Sequence, residues 1–290
     1  MPAPSDQVSI IEVSPRDGLQ NEARILPVDV KVELVDRLTA AGFQFIEVTS
    51  FVSPTRIPQL ADAAEVMARI RRRDGVRYSV LVPNMTGLDR ALASKAQSIV
   101  VFGSASETFS QKNVNCSIAE SIERFTPVVE AAHGAGVHVR GTVSCALGCP
   151  YEGEIAPDAV ARMTRSLIAL GVDEVSIADT IGIGTPEGTR AVMEAVLREC
   201  DVSQVNGHFH DTSGRAIVNI TECLEMGIRS FDSSTAGLGG CPYAPGALGN
   251  VATENVLALM SARGFETGVD AEAVRETGRW IRRELSAPLH

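Results

Sequence analysis

The chain has 290 residues, of which 44% are hydrophobic and 21% are charged, so it can form a large buried core beneath a charged surface. Its 26 basic and 36 acidic residues give a formal net charge of −10, which argues against nucleic acid or an anionic membrane as a partner. The six cysteines lack zinc-type or dense disulfide spacing, residues 1–6 lack a secretory-signal pattern, and no apolar run has the length of a membrane span. We therefore expect a cytoplasmic protein with reduced thiols.

Short apolar runs alternate with longer amphipathic stretches from one end of the chain to the other. Their periods predict eight strands, at residues 8–13, 45–48, 78–82, 98–102, 137–143, 174–177, 204–210 and 230–234. Helices are predicted between the strands, at residues 28–41, 58–72, 86–94, 117–135, 156–170, 186–200 and 215–226. Residues 265–290, with Trp280 among them, are predicted to form one or two added helices that pack outside the strands.

The regular alternation of strand and helix indicates a parallel sheet, because each helix returns the chain to the same edge. Units of this kind in succession, without a linker or a break in composition, favour one closed barrel over two separate halves. We therefore predict an α/β fold, a single (β/α)8 TIM barrel over residues 1–290. An open doubly wound sheet is the alternative, although the usual Gly-x-Gly-x-x-Gly after the first strand is absent.

Charged and imidazole side chains cluster where the predicted strands end, which is the edge that carries the active site in this fold. The residues concerned are Arg16, Asp17, Glu47, Asp179, His208 and His210. His208 and His210 are two positions apart on a strand, so both side chains leave the same face. Such a pair is either a metal site or a hydrogen-bonded structural pair, and its place at the barrel rim favours the metal.

Asp17 and Asn250 complete a possible metal site, because strands one, seven and eight are neighbours once the barrel closes. Two imidazole nitrogens with a carboxylate and an amide oxygen suit Mg²⁺ or Mn²⁺ better than structural zinc, and would leave coordination positions open for a chelating substrate. Taken singly, Asp17 is equally well a cap residue and Asn250 a turn residue. Their coincidence with the histidine pair favours the metal.

Arg16 has two interpretations. It either forms an ordinary ion pair with Glu47 or Asp179, or it offers a fixed positive fork to an oxyanion. The segment 237–250 is rich in glycine and holds Cys241, a composition typical of a mobile lid with a thiol near its tip. The alternative for that segment is a tight structural loop with a buried, inert Cys241.

Five segments resemble the hydroxymethylglutaryl-CoA lyases of the DRE-TIM metallolyase superfamily. They are SPRDGLQNE (14–22), TSFVSP (49–54), VSCALGCPYEG (143–153), ADTIGIGTP (178–186) and AGLGGCPYA (236–244). The last block is specific to the lyases, whereas the Arg-Asp and His-x-His pairs mark only the superfamily. The resemblance extends from about residue 8 to residue 268.

The resemblance implies a role for each of these residues. Asp17, His208, His210 and Asn250 would bind Mg²⁺ or Mn²⁺, Arg16 would stabilise an enolate, and Glu47 and Asp179 would support Arg16. Cys241 would lie near the reacting acyl group as a candidate acid, and His208 is a candidate for moving the proton of the substrate alcohol. Arg16, Gln20 and Thr180 are the expected substrate contacts.

The implied reaction is cleavage of 3-hydroxy-3-methylglutaryl-CoA, or of a close 3-alkyl homologue, to acetyl-CoA and acetoacetate or its homologue. Ala23, Ser213 and Ala178 depart from the lysine, tyrosine and glycine of the family, so the preferred acyl chain is open. The alternatives are a Claisen-condensing synthase of the isopropylmalate synthase type, and a barrel that only binds acyl-CoA. The expected partners are an acyl-CoA thioester and a second copy of the chain in a homodimer.

Overall fold

The computed structural model describes residues 6–239 and 249–287. Eight strands of this described part close into one barrel, in the order of the sequence and with every neighbouring pair parallel. The strands are β1 (Ser9–Glu12), β2 (Phe45–Ser50), β3 (Arg77–Leu81), β4 (Ser98–Ser104), β5 (His138–Ser144), β6 (Glu174–Asp179), β7 (Val205–Phe209) and β8 (Ser230–Ser233). The prediction of a (β/α)8 barrel is confirmed, and the open doubly wound sheet is excluded.

Helices surround the barrel. They are α1 (Val28–Ala40), α2 (Ala63–Arg69), α3 (Met85–Ala93), α4 (Glu107–Val114), α5 (Ile118–Gly134), α6 (Pro157–Leu170), α7 (Pro186–Val196), α8 (Ala216–Glu225), α9 (Thr253–Ala262) and α10 (Ala271–Ser286). The helix predicted at 58–72 is shorter than expected, because the 3₁₀ turn Pro58–Leu60 precedes α2. The short helix α4 was not predicted, although Ser106 caps its start and Asn115, in a left-handed conformation, ends it.

The barrel interior is polar, and the apolar core lies between the strands and the helices. Arg140 of β5 contacts Asp232 of β8 at 2.6 Å; since these strands are not neighbours, both side chains must point into the interior. Their chain neighbours Val139 and Phe231 therefore point outward, where both are fully buried in the hydrophobic core. Alternate residues of these strands therefore place polar side chains inside the barrel and apolar side chains against the helices.

The C-terminal helix α10 packs against α1. The guanidinium of Arg37, on α1, lies 4.6 Å from the ring centroid of Trp280, on α10. The added C-terminal helix therefore packs outside the strands, as predicted from the sequence. The backbone N–H of Asp270 also donates to the carbonyl of Ala41 at 2.8 Å. In the described ranges, no helix combines the length and the apolar composition needed to cross a bilayer.

The turn between α1 and β2 leaves no room for a side chain at Gly42. This residue has φ of +98°, and a Cβ added there would lie 2.5 Å from the carbonyl oxygen of Gly268. Gly75 has a similar φ of +82° but open space around it. We expect Gly75→Ala to cost about 1 kcal/mol, the penalty of a left-handed backbone.

Gly42→Ala should cost about 1–3 kcal/mol more than Gly75→Ala, because its methyl group collides with backbone that cannot move aside. Urea unfolding of both variants measures the difference. Equal losses in the free energy of unfolding would show that the contact between Gly42 and Gly268 adds nothing to stability.

Candidate active site

The carboxyl end of β1 leads directly into a π-helical turn, Ser14–Gly18, that carries Arg16 and Asp17. Three successive N–H groups of this turn donate to the carbonyl oxygen of Val13, at 3.2, 2.9 and 3.1 Å. A Cβ on the final glycine of the turn would lie 2.9 Å from the Cβ of Leu238, which follows β8. The turn is therefore held from both sides, and its two charged side chains have a defined position at the barrel rim.

Arg16 is locked by two carboxylates. Its Nε donates to Oε1 of Glu47 at 2.8 Å and its Nη2 to Oε2 at 3.1 Å, which makes a bidentate pair. Its Nη1 donates to Oδ1 of Asp17 at 2.6 Å. Burial lowers the pKa of Arg16, but the charges of Glu47 and Asp17 outweigh it, so the pKa lies above its usual range. The side chain is a permanent, oriented cation that is only 12% exposed.

Asp17 also faces both histidines. Its Oδ2 lies 3.7 Å from Nε2 of His210 and 4.0 Å from Nε2 of His208. One ligand atom from each of the three residues lies within 4.8 Å of the others, and ligands bound to one ion at about 2.1 Å lie roughly 3 to 4 Å apart. Burial raises the pKa of Asp17, but Arg16 and both histidines together hold it well below its usual value. The three residues therefore fit a divalent cation.

Asn250 is brought to this cluster by β7. Its backbone forms an antiparallel bridge with His210, and the N–H of Val251 donates to the carbonyl of Phe209 at 3.0 Å. The amide nitrogen of Asn250 donates to Oδ2 of Asp17 at 2.8 Å. A half-turn of the amide would present its oxygen at the same point. The structure thus brings together all four residues that the sequence analysis grouped as metal ligands.

Asp179 occupies a different position. Its carboxylate accepts hydrogen bonds from the N–H of Ile183 at 3.2 Å and of Gly184 at 2.9 Å, and so holds the loop after β6. Burial raises the pKa of Asp179 although these hydrogen bonds lower it. Arg16 pairs directly with Glu47 and Asp17, so any support that Asp179 gives to Arg16 is indirect.

The remaining predicted residues lie around this cluster or outside the described part of the chain. Thr180 accepts a hydrogen bond from the N–H of Cys145 at 2.7 Å, which joins the ends of β6 and β5. Gln20 is half-buried just beyond the turn that carries Arg16. Cys241 lies outside the described residues.

Arg140 and Asp232 were not predicted from the sequence. Nδ1 of His208 lies 2.9 Å from Oδ2 of Asp232, and Arg140 donates to the other oxygen of that carboxylate. Burial raises the pKa of Asp232, but Arg140 and His208 lower it below its usual range. Both are charged residues within predicted strands, at 137–143 and 230–234. A charge buried in a sheet needs a partner, so the two residues could have been predicted to pair.

The sequence model of the HMGL-like family matches residues 7–281. A 3-hydroxy-3-isohexenylglutaryl-CoA/hydroxymethylglutaryl-CoA lyase from Pseudomonas aeruginosa is 53% identical over 95% of this chain and 92% of its own length. The mitochondrial hydroxymethylglutaryl-CoA lyase of Bos taurus is 50% identical over 97% of this chain and 86% of its own length. The similarity therefore covers nearly the whole chain.

Solved structures agree with these sequence relatives. The HMG-CoA lyase from Brucella melitensis, 53% identical, superposes with a TM-score of 0.95 over 97% of this chain and 99% of its own. An HMG-CoA lyase from Acinetobacter baumannii, in complex with coenzyme A and 3-methylmalate, is 37% identical with a TM-score of 0.93 over 99% of this chain and 93% of its own. The barrel, the cluster at its rim and the full-length similarity all lead to one conclusion: this chain belongs to the HMGL-like family.

Proposed function

We propose that this protein is a metal-dependent carbon–carbon lyase that cleaves 3-hydroxy-3-methylglutaryl-CoA, or a close 3-alkyl homologue, to acetyl-CoA and acetoacetate or its homologue. The observation that carries the proposal is the juxtaposition of Asp17, His208 and His210 with an arginine locked by Glu47. A cation site beside an oriented positive fork suits a reaction that begins at an alcohol and ends in an enolate. Relatives 50% and 53% identical that are named as lyases of this substrate support it.

The metal site would consist of Asp17, His208, His210 and Asn250, and the donor set favours Mg²⁺ or Mn²⁺. A bound divalent cation would supply Lewis acidity that lowers the pKa of the tertiary alcohol of the substrate. His208 is the proposed residue for moving the alcohol proton, a role that requires Nε2 to be free of the cation at that step, because Nδ1 faces Asp232 at 2.9 Å. Cleavage of the bond between C2 and C3 then releases acetoacetate.

Arg16 would stabilise the negative charge that moves onto the thioester oxygen as this bond breaks. The bidentate pair with Glu47 fixes the guanidinium before the substrate arrives, so little reorganisation is needed during the reaction. One such preorganised donor lowers the activation barrier by roughly 3–4 kcal/mol. We propose Cys241 as the acid that protonates the enolate to acetyl-CoA.

Substrate contacts are proposed for Arg16, Gln20 and Thr180. The name of the Pseudomonas aeruginosa relative includes a substrate with an isohexenyl group at C3 as well as the methyl substrate. In this chain, the hydroxyl of Ser213, one of the positions that depart from the family pattern, donates to the carbonyl of Gly182. We therefore keep the acyl substituent as methyl or a close homologue.

Three further properties belong to the proposal. The chain is one barrel domain with the added helix α10, it binds an acyl-CoA, and it forms a homodimer; the coenzyme A in the Acinetobacter structure supports the second point. We also propose a cytoplasmic location, since the described cysteines are free thiols, which suit a reducing compartment. The Bos taurus relative is named as mitochondrial.

One assay separates this proposal from its alternatives. Acetoacetate release from 3-hydroxy-3-methylglutaryl-CoA is expected with Mg²⁺ or Mn²⁺, should fall to background in EDTA, and should return when the cation is added in excess. A condensing synthase, which the sequence relatives do not favour, would instead release free CoA from acetyl-CoA and a 2-oxo acid. A barrel that only binds acyl-CoA would do neither. Full turnover after rigorous removal of metal would contradict the proposed chemistry.

A further inference from the structure

A buried ion pair lies inside the barrel, next to the cluster of Asp17, His208 and His210. Arg140 on β5 donates to Oδ1 of Asp232 on β8 at 2.6 Å, and each of the two side chains is only 5% exposed. An ion pair so far from water is costly to build, and neutral side chains of similar volume are often as stable. Stability alone therefore does not explain why the chain has this ion pair.

The second carboxylate oxygen of Asp232 contacts His208. Oδ2 lies 2.9 Å from Nδ1 of His208, whereas Nε2 of the same ring faces Asp17 at a distance of 4.0 Å. A carboxylate only accepts hydrogen bonds, so Nδ1 must carry a hydrogen. The lone pair of the neutral ring is then on Nε2, the nitrogen that faces the cluster.

Other polar groups of the interior hold the same carboxylate. The hydroxyl of Ser176, on β6, lies 3.3 Å from Oδ2 of Asp232 and 3.0 Å from Oδ1 of Asn206. Asn206 in turn donates to the hydroxyl of Ser230 at 3.0 Å. Strands β5, β6, β7 and β8 thus all contribute to one network around Asp232, and its carboxylate has little freedom to turn.

We propose that Asp232, oriented by Arg140, is a positioning residue that holds the His208 ring with hydrogen on Nδ1 and with Nε2 directed at the cation. The inference rests on the proposed function only in taking His208 as a metal ligand. Partners that orient a ligating histidine typically change metal affinity about 10- to 100-fold when they are lost. Arg140 acts one step further away, by keeping the carboxylate turned toward the ring.

The first test is made on the unsubstituted chain and uses a variant only to assign the signals. The protein has five histidines, so ¹⁵N NMR of the metal-free chain, with His208→Gln for assignment, reports which nitrogen of His208 carries hydrogen. Hydrogen on Nδ1 is expected. At a pH at which the ring is neutral, hydrogen on Nε2 with a bare Nδ1 overturns the inference.

The second test measures Mn²⁺ binding by EPR titration in the absence of thioester. Asp232→Leu combined with Arg140→Met removes the pair without leaving one charge alone in the interior, and neither new side chain can accept a hydrogen bond from Nδ1 of His208. We expect its dissociation constant for Mn²⁺ to rise about 10- to 100-fold, with a cooperative thermal transition retained. The matched control is Glu174→Gln, because Glu174 lies 3.4 Å from the same arginine but does not contact His208; its Mn²⁺ affinity should stay within about twofold.

Unchanged Mn²⁺ affinity in a folded double variant would reject the positioning role. The two readouts do not involve the substrate, so this inference and the proposed reaction can fail separately. Failure of the wild-type protein to cleave the thioester would reject the proposed reaction but would not affect the inference about His208. Normal cleavage with a wrong His208 tautomer would do the reverse.

Discussion

Arg16→Gln is expected to lower kcat by about two to three orders of magnitude with little change in KM, because one preorganised oxyanion donor contributes that much to the transition state. The guanidinium is buried and already paired through Nε and Nη2 with Glu47. It therefore needs no rearrangement when charge develops on the thioester oxygen. Glutamine keeps a polar group in the same volume but removes the charge and the planar fork.

Arg16→Lys distinguishes charge from geometry. Lysine keeps the positive charge but cannot form the bidentate pair, so an intermediate kcat is expected if both matter. Thermal unfolding should accompany the kinetics, because the glutamine variant leaves Glu47 buried beside a neutral partner. Turnover close to the wild-type value in a folded Arg16→Gln protein would exclude Arg16 from the chemistry.

His210→Gln is expected to remove most of the bound metal and, with it, most of the activity. Nε2 of His210 lies 3.7 Å from the Asp17 carboxylate, and the residue is nearly buried, so water cannot readily replace the imidazole. The loss of Mn²⁺ affinity should exceed the roughly 10- to 100-fold that follows loss of an outer partner. Metal content after dialysis and turnover against Mn²⁺ concentration measure the two effects.

The control for this variant is His133→Gln. His133 is a surface residue whose Nε2 lies 3.3 Å from Asp173, far along the chain from the cluster. Its substitution should change neither metal content nor turnover. A His210→Gln protein that retains full metal and normal kcat would show that the histidine pair is structural, which was the alternative left open by the spacing of the two histidines.

A local sequence pattern left two interpretations open for the histidine pair, a metal site or a structural pair. It also left two for Arg16, an ordinary ion pair or an oxyanion donor. Spacing placed His208 and His210 on one face, but it did not say what that face meets. The structure shows that Arg16 pairs with Glu47, while the Asp179 carboxylate holds backbone N–H groups of its own loop. Glu47 lies inside β2 and Asp179 ends β6; β2, and not β6, is a neighbour of β1, whose end leads to Arg16.

The sequence by itself predicted the parallel strands and the residues at their ends, because strand and helix periods and their alternation depend only on neighbours along the chain. It also predicted a cation that prefers nitrogen and oxygen ligands. The tertiary structure excluded the open sheet, because β1 pairs with β8 and closes the barrel. The partnership of Asp232 with Arg140 and His208 was decided by the tertiary structure alone. These residues come from β8, β5 and β7 and meet only inside the closed barrel, where lack of water forces each buried charge to find a partner.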